Sequence, residues 1–241
     1  MCKHYNRYKF DVLKPWYRIP IIDNNEKLIS IPSNIDLITP HPYLSLGAPY
    51  INKSKLWSLR EGVVLRLMSA NNYLHSINND YGLILYDSWR PIEVQAYMFY
   101  YSFEEECKKR GLNVSSNEMI SYPDIINEVE KFWAYPSFDK NCPPPHCTGG
   151  AIDLAIVDKD GNLIDMGCEI DDMHESASPE FYKNANYEEA KVWNERRRIL
   201  NEVMLRFGFV QHPNEWWHFS YGDQLWAWKK KNQNAIYGKI D

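Results

Sequence analysis

Apolar side chains at Val63, Val64, Leu67, Ala70 and Leu74 recur every three or four residues, the spacing of one helical face. Ser58 with Glu61 three residues later has the form of a capping box, so the pattern predicts a helix over 58–77. Residues 81–86 then read as a strand ending at Tyr86. Pro91 at a first helical position opens a second helix, closed by Gly111. Ile126, Val129 and Phe132 or Trp133 align on a third helix over 123–133. A proline-rich loop follows, with Pro143, Pro144 and Pro145 in succession. The unbroken apolar, branched run 151–157 predicts a buried strand that turns at 159–162 towards Leu163 and Ile164. Ala190, Trp193, Leu200, Val203, Met204 and Phe207 mark a long helix ending at Gly208, after which 209–211 and 216–221 are expected to pair as strands. The opening 56 residues are loop-rich, and His41 in Thr39-Pro40-His41-Pro42-Tyr43 reads as a loop histidine. The whole predicts one α+β domain over 1–241. A central antiparallel sheet is flanked by helices, with 1–56 packed on it.

Composition narrows the function classes. A chain of 241 residues can bury an ample core, and 15% aromatic content, with 17 Tyr and 9 Trp, excludes a disordered protein. A net charge of -5 leaves no basic footprint for nucleic acid, and Lys229-Lys230-Lys231 reads as a solvated helix end. No stretch has the roughly 20 apolar residues of a membrane span, and the first 30 residues lack a signal-peptide core, so the expected location is cytoplasmic. Five cysteines without a regular framework fit a reducing compartment. Cys2 directly after Met1 keeps a periplasmic or lipid-anchored location open, should the chain have been cut at a lipoprotein processing site.

The chemistry is concentrated in two strings, residues 146–153 and residues 215–218. Catalytic zinc takes three protein ligands from His and carboxylate and keeps a fourth position open. His146, Asp153 and His218 supply such a set. Glu215 is the candidate to take a proton from water and pass it to a leaving amine. Cys142 and Cys147 flank His146, but a structural zinc knuckle needs another close pair that Cys2, Cys107 and Cys168 do not provide. Arg90, between the apolar run ending at Tyr86 and Pro91, has two readings. It pairs with Asp87 to hold the turn, or its planar fork faces the metal and meets developing negative charge. Trp216 and Trp217 read as core.

These motifs together resemble the D-alanyl-D-alanine dipeptidases, zinc enzymes of the vancomycin-resistance type. The resemblance rests on residues 86–91, 145–154 and 215–222, on Asp165-Met166-Gly167, and on Leu59-Arg60-Glu61-Gly62 upstream, and it spans roughly residues 40–228. It implies one zinc ion held by His146, Asp153 and His218, Glu215 as catalytic base, Arg90 as transition-state stabiliser, and Asp165 at the substrate's ammonium group. The implied reaction is hydrolysis of a short D-amino-acid peptide, D-Ala-D-Ala above all, by water that Glu215 deprotonates beside zinc. Three positions depart from the family pattern. Pro144 stands where a Ser is common, Cys168 where Thr is common, and Trp89 where Tyr is common.

Alternation along a strand would point Glu215 and His218 to different sides, so Glu215 is expected outside the strand or in a bulge, helped by Pro213-Asn214. His174, in the acidic run 171–175, and His212 compete as ligands and read as exposed loop residues. His4 and His75 have no supporting neighbours. Two alternatives stand beside the dipeptidase reading: a peptidoglycan carboxypeptidase or endopeptidase using the same metal set, and a zinc-containing binding module without turnover.

Overall fold

The apolar run that begins at Ala151 lies at the centre of a sheet because it finds backbone partners on both sides. The computed structural model describes residues 14–240, and Cys2 and His4 lie outside them. Seven strands form: β1 (Leu28–Ser30), β2 (Asp36–Leu37), β3 (Ser58–Arg60), β4 (Tyr81–Asp87), β5 (Ala151–Asp158), β6 (Val210–Gln211) and β7 (His218–Ser220). Six helices accompany them: α1 (Pro42–Ser45), α2 (Glu61–Ile77), α3 (Ile92–Lys109), α4 (Pro123–Glu130), α5 (Glu188–Arg206) and α6 (Gln224–Lys229). The main sheet runs β2-β4-β5-β7-β6, and β1 pairs with β3 in a separate ribbon. Every pairing is antiparallel except the edge pair β2 with β4, which is parallel. Residues 151–157 are all buried, which is why that segment is apolar without alternation. Asp153 is its one charged member.

Two apolar clusters place helices against the sheet. Leu67 of α2 and Val203 of α5 join Leu85, Ile156 and Phe219 of the strands, all within 1% of full burial. Phe99 and Phe103 of α3 meet Ile126 of α4 and Trp133 in the second. The expected α+β architecture is therefore present. Among the described residues no helix is long and apolar enough to cross a membrane.

Tertiary pairing changed the start of the first long helix. Ser58 pairs with Ser30 and Arg60 with Leu28 as strand residues, and the helix begins at Glu61 without a side-chain cap. The ribbon outcompetes the local capping box because Arg60 is also drawn inward. Its Nε donates to the Thr148 carbonyl at 2.9 Å and its guanidinium to the Gly238 carbonyl at 3.0 Å. Pro91 serves as N-cap rather than first helical residue, and α4 stops at Glu130, three residues short. The expected strand over 216–221 is confined to β7, and the extended segment before it matters for the site.

Candidate metal centre and active site

Strand register brings the distant ligands together. Asp153 of β5 stands directly opposite His218 of β7, and on its other side opposite Asp87 of β4. A bulge between Leu85 and Asp87 adds one residue to β4, and so turns Asp87 onto the face that carries Asp153. His146 comes from a separate turn, Pro145–Thr148, locked by the Thr148 hydroxyl donating to the Pro145 carbonyl at 2.6 Å. Gly150 follows where nothing larger fits. A Cβ there would lie 2.4 Å from the Tyr221 carbonyl oxygen.

The three donors fit a tetrahedral divalent ion with one open position. His146 Nε2 lies 3.2 Å from His218 Nδ1 and 3.2 Å from Asp153 Oδ2, and His218 Nδ1 lies 3.0 Å from Asp153 Oδ1. With bonds of about 2.05 Å, the edge of a tetrahedron is about 3.3 Å, close to those separations. The remaining ring nitrogens are engaged as metal-ligating imidazoles require: His146 Nδ1 donates to the Ser88 carbonyl at 2.8 Å, and His218 Nε2 lies 3.3 Å from Ser220 Oγ. All three candidate ligands are buried, and they are the one such cluster among the described residues. Cys107, Cys142, Cys147 and Cys168 join no metal cluster and are free thiols.

Glu215 sits in the turn before β7, outside the strand, so alternation does not separate it from His218. Its Oε2 is 3.5 Å from His218 Nδ1, and its Oε1 is 3.2 Å from His212 Nδ1. The turn is fixed by Gln211 Nε2 donating to the Trp216 carbonyl at 2.8 Å and by the His212 amide donating to the His218 carbonyl at 2.9 Å. Burial, and then the charge of Asp153, hold the Glu215 pKa well above the usual carboxylate range. A raised value suits a group that must take and return a proton near neutrality. His212, expected in an exposed loop, is instead buried against Glu215, and burial holds its pKa well below the ordinary imidazole value. His174 is exposed.

Arg90 pairs with Asp87 to hold the turn, and the same side chain also lies beside the candidate metal set. Its Nε and one terminal nitrogen donate to Asp87 Oδ2 at 2.9 and 2.7 Å, and the other terminal nitrogen donates to Gln95 Oε1 at 2.8 Å. The same guanidinium lies 3.7 Å from Asp153 Oδ2 and lines the pocket over the metal set. Asp87 is the anchor of this corner, fully buried, with His41 Nε2 and the Tyr50 hydroxyl each 3.3 Å from Oδ1. Burial opposes its charge, but Arg90, His41 and His146 together hold its pKa below the usual value. His41 is thus no loose loop residue. It is buried, its Nδ1 accepts from the Tyr43 amide at 3.2 Å, and it caps α1.

Asp165 does not reach the site. It is exposed, accepts from the Gly167 amide at 2.8 Å and from Trp193 Nε1 at 2.8 Å, and fixes a turn beside α5. Besides Asp153 and Glu215, the acid that lines the pocket is Asp171, six residues on. Its carboxylate accepts from the Tyr43 hydroxyl at 3.0 Å, and burial with the nearby Asp153 charge pushes its pKa up to about 7. Sequence reasoning examined the run 171–175 for His174 alone. The signal that could have found Asp171 was an acidic pair followed by no basic residue. Its left-handed φ of 67° is visible only in three dimensions. Lys14, Trp16, Tyr17, Phe132, Trp133 and Trp217 also line the pocket.

The family model described as D-ala-D-ala dipeptidase matches residues 39–236. A D-alanyl-D-alanine dipeptidase of Synechocystis sp. is 36% identical over 242 aligned positions, covering 95% of this chain and 98% of the relative. One from Escherichia coli is 30% identical over 138 positions, covering 57% and 53%. A solved vancomycin-resistance D,D-pentapeptidase, VanY in complex with Zn(II), is 16% identical with a TM-score of 0.48, covering 90% of each chain. Matched along most of its length by the family model and nearly end to end by a relative, the chain belongs to the D-Ala-D-Ala dipeptidase family of metallopeptidases.

Proposed function

We propose that this chain hydrolyses D-Ala-D-Ala with one zinc ion held by His146, Asp153 and His218. The observation that carries the reading is the convergence of three ligand atoms within 4.8 Å of one another, with the Glu215 carboxylate buried beside them. Zinc, when bound, supplies a Lewis acid that polarises the scissile carbonyl and acidifies water. Glu215 takes the proton of the attacking water and delivers it to the departing amine, and His212 at 3.2 Å holds the carboxylate in place. Arg90, kept charged and oriented by Asp87 and Gln95, offers its guanidinium to the negative charge that develops on the carbonyl oxygen. Asp171 receives the substrate's ammonium group, the role expected of Asp165.

The pocket favours a dipeptide over a longer cell-wall peptide. Asp171 is a half-buried acid to which no basic side chain among the described residues is hydrogen-bonded, so a free amine gains most there, and an acylated one would leave it unpaired. The test is release of D-alanine from D-Ala-D-Ala by purified protein, with and without chelator, beside L,L dipeptides and longer muropeptides. Chelator-sensitive release confined to the D,D dipeptide is expected. Glu215→Gln should lower turnover about 100- to 10,000-fold while zinc stoichiometry stays at one. A near-normal rate in that variant would discard the assigned base. No release by zinc-loaded protein would favour a binding module.

A further inference from the structure

One wall of the active-site pocket is built from Lys14, Trp16 and Tyr17, at the start of a segment, 14–24, far from the candidate ligands in sequence. It is stitched to the far end of the chain. The Ala235 amide donates to the Pro20 carbonyl at 2.9 Å, the Asn24 amide to the Ile236 carbonyl at 3.0 Å, and Gln224 Nε2 to the Ile19 carbonyl at 2.6 Å. Trp16 packs edge-on to His212 at 6.0 Å and is 6% exposed. This anchoring sets Lys14 on the pocket wall that Glu215 and His212 share, with its Nζ 5.6 Å from the Trp16 ring.

Two side chains of permanent or ordinary positive charge line this pocket, Lys14 and Arg90. Arg90 has no donor to spare for a carboxylate, since four of its five N–H groups bond to Asp87, Gln95 and the Tyr43 hydroxyl and the fifth is the one assigned above to the carbonyl oxygen. Among the described residues Lys14 has no such hydrogen-bonded tether. Burial pushes its pKa down, and Glu215 and Glu130 offset this only through their charge. A dipeptide enters as a zwitterion, and desolvating its carboxylate without a cation would cost more than binding returns. We infer that Lys14 binds the C-terminal carboxylate of the dipeptide, while Asp171 takes the other end. The assignment rests on the dipeptidase reading above.

Lys14→Met, Lys14→Arg and unsubstituted protein, all zinc-loaded, are to be compared on D-Ala-D-Ala and on its C-terminal amide. Binding of both compounds is also measured by calorimetry in the Glu215→Gln background. Lys14→Met should raise the KM and the dissociation constant of D-Ala-D-Ala about 10- to 100-fold, leave the amide unchanged, and keep kcat within a few-fold. Lys14→Arg should restore most of the affinity, and melting temperatures should agree across the three proteins. Equal losses on acid and amide, or a fall in kcat at constant KM, would overturn the assignment, because Lys14 would then act on Glu215 or on the fold. An unchanged preference for the acid in Lys14→Met overturns it as well. No binding of D-Ala-D-Ala by unsubstituted zinc-loaded protein would instead overturn the dipeptidase reading, and this assignment with it.

Discussion

Removing the Asp87 carboxylate should cost this protein more than removing the arginine it holds. Asp87 is 0% exposed and Arg90 3%, so Asp87→Ala leaves a buried guanidinium with only the more distant Asp153, at 3.7 Å, as counter-charge. Losing one partner of a buried pair costs about 3–5 kcal/mol. The two bonds at 2.7 and 2.9 Å, and the contacts of Oδ1 with His41 and Tyr50 at 3.3 Å, place this case in the upper part of that range. For a chain of this size each kcal/mol moves the melting temperature by about 2–4 °C, so the expected drop is roughly 8–20 °C. Arg90→Met should cost less, because an aspartate can shed its charge by binding a proton whereas an arginine cannot. Asp87→Ala with Arg90→Met should cost less than the sum of the singles. Thermal and urea unfolding of the four metal-free proteins measures all of this. A cost below about 1 kcal/mol for Asp87→Ala, or strict additivity in the double variant, would refute the view that Arg90 is held by a buried ion pair.

Other outcomes follow from the same geometry. Asp171→Asn should raise the KM of D-Ala-D-Ala about 10- to 100-fold, read by D-alanine release. The same substitution should flatten a stability trend. In the folded metal-free protein Asp171 keeps its proton to about pH 7, against about 3.9 when unfolded, so the unsubstituted protein loses stability as pH rises between those values. Discounted for partial exposure, the loss is about 2–4 kcal/mol, visible as a melting temperature that falls from pH 5 to pH 8 in the parent but not in Asp171→Asn. Gly150→Ala drives a Cβ to within 2.4 Å of the Tyr221 carbonyl and should cost about 1–3 kcal/mol, with weaker zinc retention on dialysis because His146 and Asp153 flank the strained turn. Burial pushes Cys142 up to about 11 and Cys147 up to about 12. At pH 8 about one thiol in a thousand or fewer is ionised, so iodoacetamide should label neither in the native protein and both after unfolding, as peptide mass mapping would report.

Much of this protein is legible in the order of its residues. Helices with a clear apolar period, α3 and α5 among them, form close to where periodicity places them, because one face must be buried whatever the partner. That His146, Asp153 and His218 belong to one cluster was legible too, from their residue types and motif contexts, and the contradiction between strand alternation and Glu215 already required a turn before β7. What eluded the sequence depended on partners remote in the chain. Ser58 and Glu61 satisfied a local capping rule, yet β1 claimed Ser58 through pairing that no short window contains. His41 and His212 looked like loop residues because burial is not written in local composition. Asp165 and Asp171 are both acids in turns. Only the path of the chain after β5 decides that the first meets Trp193 and the second meets the Tyr43 hydroxyl in the pocket. Sequence by itself determined the chemistry available, because side-chain type and local period are properties of neighbours along the chain. The tertiary structure alone decided that Asp171 rather than Asp165 joins the pocket, which partners hold the nitrogens of Arg90, and that Lys14 lines the wall. Those facts depend on strand register, a one-residue bulge and the closure of contacts across more than a hundred residues.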